Sequence, residues 1–214
     1  MQVESSKYLA QCRPYLLKVL DGLRGSYTEA SVLACDSYSK RYSVSGRGIS
    51  VAEDDLYTKR GFVLRMKDEK GYAEYSFNHI GDECVDEIIR EAKKLALRVK
   101  LPEEIVPMKR SEGEKKKETF KGSTEYAVHP LALGDKAIVE RLSSIRASGL
   151  SSDEKIMDCI VNVEFQEIHK LFLSYEKDLE QNILWTGGAL VMLAGRGEEV
   201  KECYRGFSML GGAE

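Results

Sequence analysis

The sequence has no long apolar run. No stretch approaches the roughly 20 residues that a bilayer-spanning helix needs. The opening Met1-Gln2-Val3-Glu4-Ser5-Ser6 has neither the basic start nor the apolar stretch of a secretory signal. The expectation is a cytoplasmic chain without membrane contact. A surplus of charge is missing too: 32 basic residues stand against 35 acidic ones, a net −3. That balance argues against a dedicated nucleic-acid binder and leaves only a local basic patch to consider. Five cysteines, at positions 12, 35, 84, 159 and 203, include no C-x-x-C pair. This spacing suits neither a disulfide framework nor a zinc framework, so they read as buried thiols acting as small hydrophobes.

What remains is a globular chain of 214 residues, 43% hydrophobic and 31% charged, long enough to bury a sizeable core. From about Ser5 to Arg24, apolar residues recur at Leu9, Cys12, Leu16, Leu20 and Leu23, the spacing of a one-faced helix. Pro14 predicts a kink or a start there, and Gly25 an end. From Thr28 to Phe77 the period changes to two, with turn signals at Ser45-Gly46-Arg47-Gly48, Lys59-Arg60-Gly61 and Asp68-Glu69-Lys70-Gly71. This predicts an antiparallel meander with short hairpins. A second helix is predicted from Asp82 to Val99, with Val85, Ile88, Ile89, Ala92, Leu95, Ala96 and Val99 on one stripe and Asp82 as its N-cap.

Pro102, Pro107 and the run from Lys109 to Lys121 break the pattern. That run holds six basic residues, three acidic ones and one aromatic, Phe120. It reads as a solvated, mobile linker, because it lacks the interleaved aromatics on which single-strand binders stack bases. Beyond it a helix capped by Asp135 carries Ile138, Leu142 and Ile145. Strands follow over Met157 to Gln166, Leu171 to Tyr175, Ala189 to Ala194 and Val200 to Phe207. The two halves can be laid over one another, with Ser45 and Ser174, and Tyr75 and Tyr204, at one common offset. This is either an internal duplication of a helix-plus-meander unit or the common look of two meanders. The fold class expected is α+β, with antiparallel β-meanders backed by amphipathic helices. One domain covers 1–214, with a first half 1–101, a mobile linker 102–134 and a second half 135–214.

The residues show no active site. His79, His129 and His169 are too far apart in sequence for a metal motif. Glu167-Ile168-His169 has the residue types of a ligand cluster, but it reads as a strand-to-strand turn with a surface histidine. Gly46-Arg47-Gly48 and Gly195-Arg196-Gly197 lack the third glycine of a dinucleotide fingerprint and the Gly-Lys of a P-loop, and read as hairpin turns. Ser37-Tyr38-Ser39-Lys40 and Ser152-Asp153-Glu154-Lys155 match a Ser-x-x-Lys spacing too short to be specific. No catalytic, cofactor-binding or metal-binding residue is assigned.

The order of these segments resembles a known family. Ser43-Val44-Ser45-Gly46, Gly61-Phe62-Val63-Leu64-Arg65 and Gly71-Tyr72-Ala73-Glu74-Tyr75, followed by the helix from Asp82, resemble the N-terminal domain of the TldD/PmbA family. Its members are also called modulators of DNA gyrase and include zinc metallopeptidases. Gly195-Arg196-Gly197-Glu198, Tyr204-Arg205-Gly206-Phe207 and Gly211-Gly212 look like the close of that domain. The resemblance implies that zinc is held by an HExxxH motif in a C-terminal domain absent from this chain. No cofactor is therefore expected here, no family catalytic residue maps onto it, and it should be inactive alone. It further implies homo- or heterodimers with a family member, and a peptide substrate held in a closed cavity that this domain helps to wall. The alternative is a stand-alone, non-catalytic interaction subunit pairing with a full-length peptidase.

Overall fold

The computed structural model describes residues 1–53, 59–68, 71–96 and 117–214. Residues 97–101 of the predicted first half and 102–116 of the predicted linker lie outside them. In chain order the elements are α1 (Lys7–Leu23), β1 (Glu29–Ser45), β2 (Gly48–Glu53), β3 (Arg60–Asp68), β4 (Gly71–Phe77), α2 (Val85–Ala96), β5 (Glu118–Ser123), α3 (Pro130–Leu133), α4 (Asp135–Leu150), β6 (Ile156–Ser174), β7 (Lys177–Arg196) and β8 (Glu199–Leu210). The expected α+β class holds. Among the described residues no helix is long and apolar enough to cross a membrane.

All eight strands form one sheet, with β1 and β6 antiparallel at its centre. β2 and β3 follow one another along the outer edge of β1, and β4 pairs with β3. On the other side β7 pairs with β6, and β8 with β7. Among the described residues each half therefore runs helix, long central strand, second strand, third strand, β2 and β3 together standing where β7 stands in the second half. The registers repeat at the β1–β2 and β6–β7 hairpin ends but not along β3. At the hairpin ends Val44 faces Ile49 and Leu173 faces Asp178; Tyr42 faces Val51 and Leu171 faces Glu180. Each residue of one pair lies 129 positions from its counterpart, the offset of Ser45 and Ser174. Along β3, Val32 faces Leu64 while Val161 faces Leu190, a shift of three. Tyr75 therefore packs toward the helices, Tyr204 is exposed on the other face, and the expected equivalence of these two tyrosines fails. Of the two sequence readings, the repeated unit is the one the topology supports.

Strand side chains alternate between two faces. One face carries the residues packed under the helices, among them Ala30, Val32, Ala34, Tyr42 and Val44 of β1, Phe62, Leu64 and Met66 of β3, and Cys159, Val161, Val163, Phe165, Leu171 and Leu173 of β6. These form two apolar clusters. One lies under α1 and α2, the other under α4. α1 runs through Pro14 and is capped by Ser6, whose hydroxyl accepts from the Leu9 N–H at 3.1 Å.

Several sequence expectations are corrected. Residues 118–123, read as linker, form β5, which pairs in parallel with the start of β7, and Pro130–Leu133 form α3. The polar stretch Glu167-Ile168-His169-Lys170 is the middle of one continuous β6, not a turn. Asp82 does not cap the second helix but opens a 3-10 turn, Asp82–Cys84, ahead of α2, and the N-cap of α4 is Gly134 rather than Asp135. Asp135 instead binds Lys40 and the Tyr42 hydroxyl, each at 2.8 Å. The cysteines are not uniformly buried, since Cys12 and Cys159 are, Cys35 and Cys84 are partly so, and Cys203 is exposed.

Candidate functional site

The face of the sheet opposite the helices is the first candidate. Among the described residues no helix packs on it. It carries Leu33 and Phe172 side by side, Ile168 beside Ile183, and Val191 beside Tyr204. The outer part, on β7 and β8, is smoothed by glycines. The Trp185 ring lies where a side chain on Gly187 would sit and donates its Nε1–H to Ser208 at 2.7 Å. The Tyr204 ring does the same at Gly206. At one end this face opens into a cavity of about 610 Å³, lined by Ser31, Arg65, Lys67, Tyr72, Phe172 and Ser174 with the β6–β7 turn. Its cations are paired, Arg65 Nε with Glu74 at 2.7 Å and Lys67 with Glu29 at 3.4 Å. An aromatic floor with balanced charge at the rim can bind an extended polar chain.

The second candidate is a polar seam on the helix side, between the two apolar clusters. His169, only 9% exposed, faces Asn182 across β6 and β7. Its Nδ1 meets Asn182 Oδ1 at 2.8 Å and its Nε2 meets Glu167 Oε1 at 2.9 Å. Asn182 Nδ2 donates to Ser123 of β5 and to Glu180, which leaves Oδ1 as the acceptor. Both ring nitrogens of His169 therefore face acceptors, an arrangement that favours the imidazolium. Burial pushes its pKa down, but the bonds to Glu167 and Asn182 outweigh burial and raise it. The His169 bond holds the Glu167 carboxyl below its usual value despite burial, and His129 Nε2, at 3.2 Å from the other oxygen, adds to the effect. The seam thus ties β5 and the loop before α3 to the sheet. His169 was expected on the surface. The signal that could have found it is the alternation, because Glu167 and His169 keep the odd-numbered phase of the buried residues around them.

The remaining motifs separate. Ser37 and Lys40 lie on opposite faces of β1. The Ser37 hydroxyl bonds the Lys59 backbone, and Lys40 is paired with Asp135. Ser152 closes the end of α4 by donating to the Gly149 carbonyl at 2.7 Å. Gly46-Arg47-Gly48 and Gly195-Arg196-Gly197 are hairpin turns, as expected. The first is fastened by the Asp158 carboxylate, which accepts from the Gly46 N–H at 3.1 Å and from Arg146 at 2.8 Å. Among the described residues, one group of metal-capable side chains gathers, His79, Glu83 and Cys84. His79 and Glu83 stand in open solvent beside one another, 3.5 Å apart.

No family model matches this chain, and no curated protein matches it in sequence. Solved structures share its fold. A candidate modulator of DNA gyrase from Bacteroides thetaiotaomicron matches with a TM-score of 0.64, over 93% of this chain and 45% of its own, at 16% identity. A candidate modulator of a DNA gyrase from Thermotoga maritima matches with 0.69, over 92% and 42%, at 12% identity. TldE from Thermococcus kodakarensis matches with 0.64, over 91% and 42%, at 17% identity. At such identities the likeness is one of fold, and it is the fold that the resemblance to the TldD/PmbA family implied. The chain spans less than half the length of each of these structures.

Proposed function

We propose that these residues are the N-terminal, non-metal-binding domain of a TldD/PmbA-like metallopeptidase. In this reading the bare sheet face walls the cavity that receives an extended peptide. The domain also supplies contacts to a second family member in a homo- or heterodimer. The zinc and its ligands belong to a C-terminal domain outside these 214 residues. The observation that carries the reading is the fold match, which takes up more than nine-tenths of this chain and less than half of each neighbour. The chemistry of the bare face supports it: an aromatic and aliphatic floor with paired charges at the rim.

The test is a cleavage assay on an unstructured peptide, with and without added zinc. The chain alone should leave the peptide intact in both arms. Zinc-dependent cleavage by the pure chain overturns the reading. Antibody detection of the native protein in its own cells separates the domain from the stand-alone subunit. A mass well above that of 214 residues supports the domain.

A further inference from the structure

The two repeated units differ in one element. In the first, a fifth element completes the unit: α2 lies on β4 and alongside α1. Its Val85, Ile88 and Ala92 are buried with Ala73 of β4, and Ile89 fills the space beside Gly22 of α1. Under this cover Leu16, Val19, Leu20 and Leu23 of α1 are almost fully buried. In the second unit no described element lies on β8 beside α4. All twelve residues of β8 are exposed. On its helix side Cys203, Arg205, Phe207 and Met209 follow Lys201, and Phe207 and Met209 are 52% and 54% exposed. On α4, Ile145, which the 129-residue offset relates to Leu16 of α1, is 44% exposed, whereas Leu16 is fully buried.

We propose that this surface is a docking site for an amphipathic helix with an acidic flank, carried by a polypeptide segment outside these 214 residues. The helix would lie on β8 beside α4 as α2 lies on β4 beside α1. Its apolar stripe covers Phe207, Met209 and Ile145, which α2 shows to be the sort of surface a helix of this fold covers. Its carboxylates face Lys201 and Arg205, neither of which is in an ion pair among the described residues. A like distribution is present in α2, which carries Asp86 and Glu87 in its first turn. A second copy of the chain pairing edge to edge through β8 would leave Phe207, Met209 and Ile145 uncovered on the helix side, so it does not fit the exposed residues. The proposal needs only the repeat and the exposed surface; it stands or falls apart from the peptidase reading.

The probe is a synthetic peptide of residues 82–96, the α2 sequence, with Cys84→Ser. The readout is the alkylation rate of Cys203, resolved from the other cysteines by peptide mass spectrometry. The peptide should slow that rate saturably, by about tenfold when present at ten times its Kd. A scrambled peptide of the same composition should not. Met209→Glu should abolish the protection, and Arg205→Glu should weaken it while leaving the circular dichroism of the chain unchanged. Absence of protection up to the solubility limit, or equal protection by the scrambled peptide, overturns the proposal. So does protection that grows with protein concentration without peptide, which would make a second copy the occupant.

Discussion

Replacing Glu167 by Gln tests whether the polar seam holds a charged histidine. The carboxylate bridges His169 at 2.9 Å and His129 at 3.2 Å. The His169 contact is the sheltered one, with side chains 11% and 22% exposed. A hydrogen bond to a charged group contributes about 1.5–3 kcal/mol net, and losing the partner of a buried charge costs more. The imidazolium can limit that cost by releasing its proton, so the expected loss is about 2–3 kcal/mol near pH 6. The pH dependence is the sharper readout. The His169 pKa is raised above its ordinary 6.5. Its contribution is therefore whole below pH 6.5 and is lost as pH climbs through the folded value. The Glu167 pKa is held below its ordinary 4.5. Its contribution is whole above pH 4.5 and is lost as pH falls through the folded value. Wild-type stability from this pair is thus flat between pH 4.5 and 6.5 and declines on both sides. In Glu167→Gln, burial still lowers the His169 pKa and the Asn182 bond and Asp36 still raise it, but the raising contributions of Glu167 are gone. The folded value therefore falls, and the loss of the His169 contribution moves to lower pH. Urea unfolding followed by circular dichroism at intervals from pH 4 to 8 measures both curves. If the variant-minus-wild-type difference does not shrink above pH 6.5, the imidazolium assignment is wrong.

Two further substitutions probe the packing. Leu16→Ala, at a fully buried position between α1 and α2, should cost about 2–5 kcal/mol in urea unfolding, whereas Ile145→Ala on α4 should stay under about 1 kcal/mol. Equal costs would contradict the exposure of Ile145. A Cβ on Gly188 would lie 2.8 Å from the Asn162 carbonyl oxygen and 2.6 Å from the Phe207 ring. Gly188→Ala should therefore destabilise by about 1–3 kcal/mol. Gly61→Ala, whose Cβ would meet only the Phe77 carbonyl at 3.8 Å, serves as the control; a similar loss there would show that the close approach at Gly188 is not the cause.

The errors in the sequence reading share one origin. Periodicity reports whether a side chain faces an apolar neighbour, and it fails where the buried neighbour is polar. Glu167 and His169 looked like a turn because their partners, His129 and Asn182, lie 38 and 13 residues away. The acidic and basic residues around Phe120 suggested a solvated linker. β5 nonetheless forms, because the outer edge of β7 satisfies its backbone from Lys177 to Asn182 and Lys177 pairs with Glu118 at 2.8 Å. Asp82 and Asp135 had the right chemistry for N-caps but were drawn to distant cations, Lys18 and Lys40.

The sequence by itself determined the local elements. These are the apolar stripes of α1 and α2, the alternation of β1, β3 and β6, and the glycine hairpins. Each depends on residues within a few positions of one another, so its physical cause is written along the chain. Tertiary structure alone decided that β1 and β6 meet at the centre of one sheet and that every helix lies on the same side. It also decided that β8 stays uncovered where β4 does not. Those outcomes turn on pairings such as Tyr42 with Val163. Their energy comes from hydrogen bonds and burial between segments far apart in sequence, which no local pattern records.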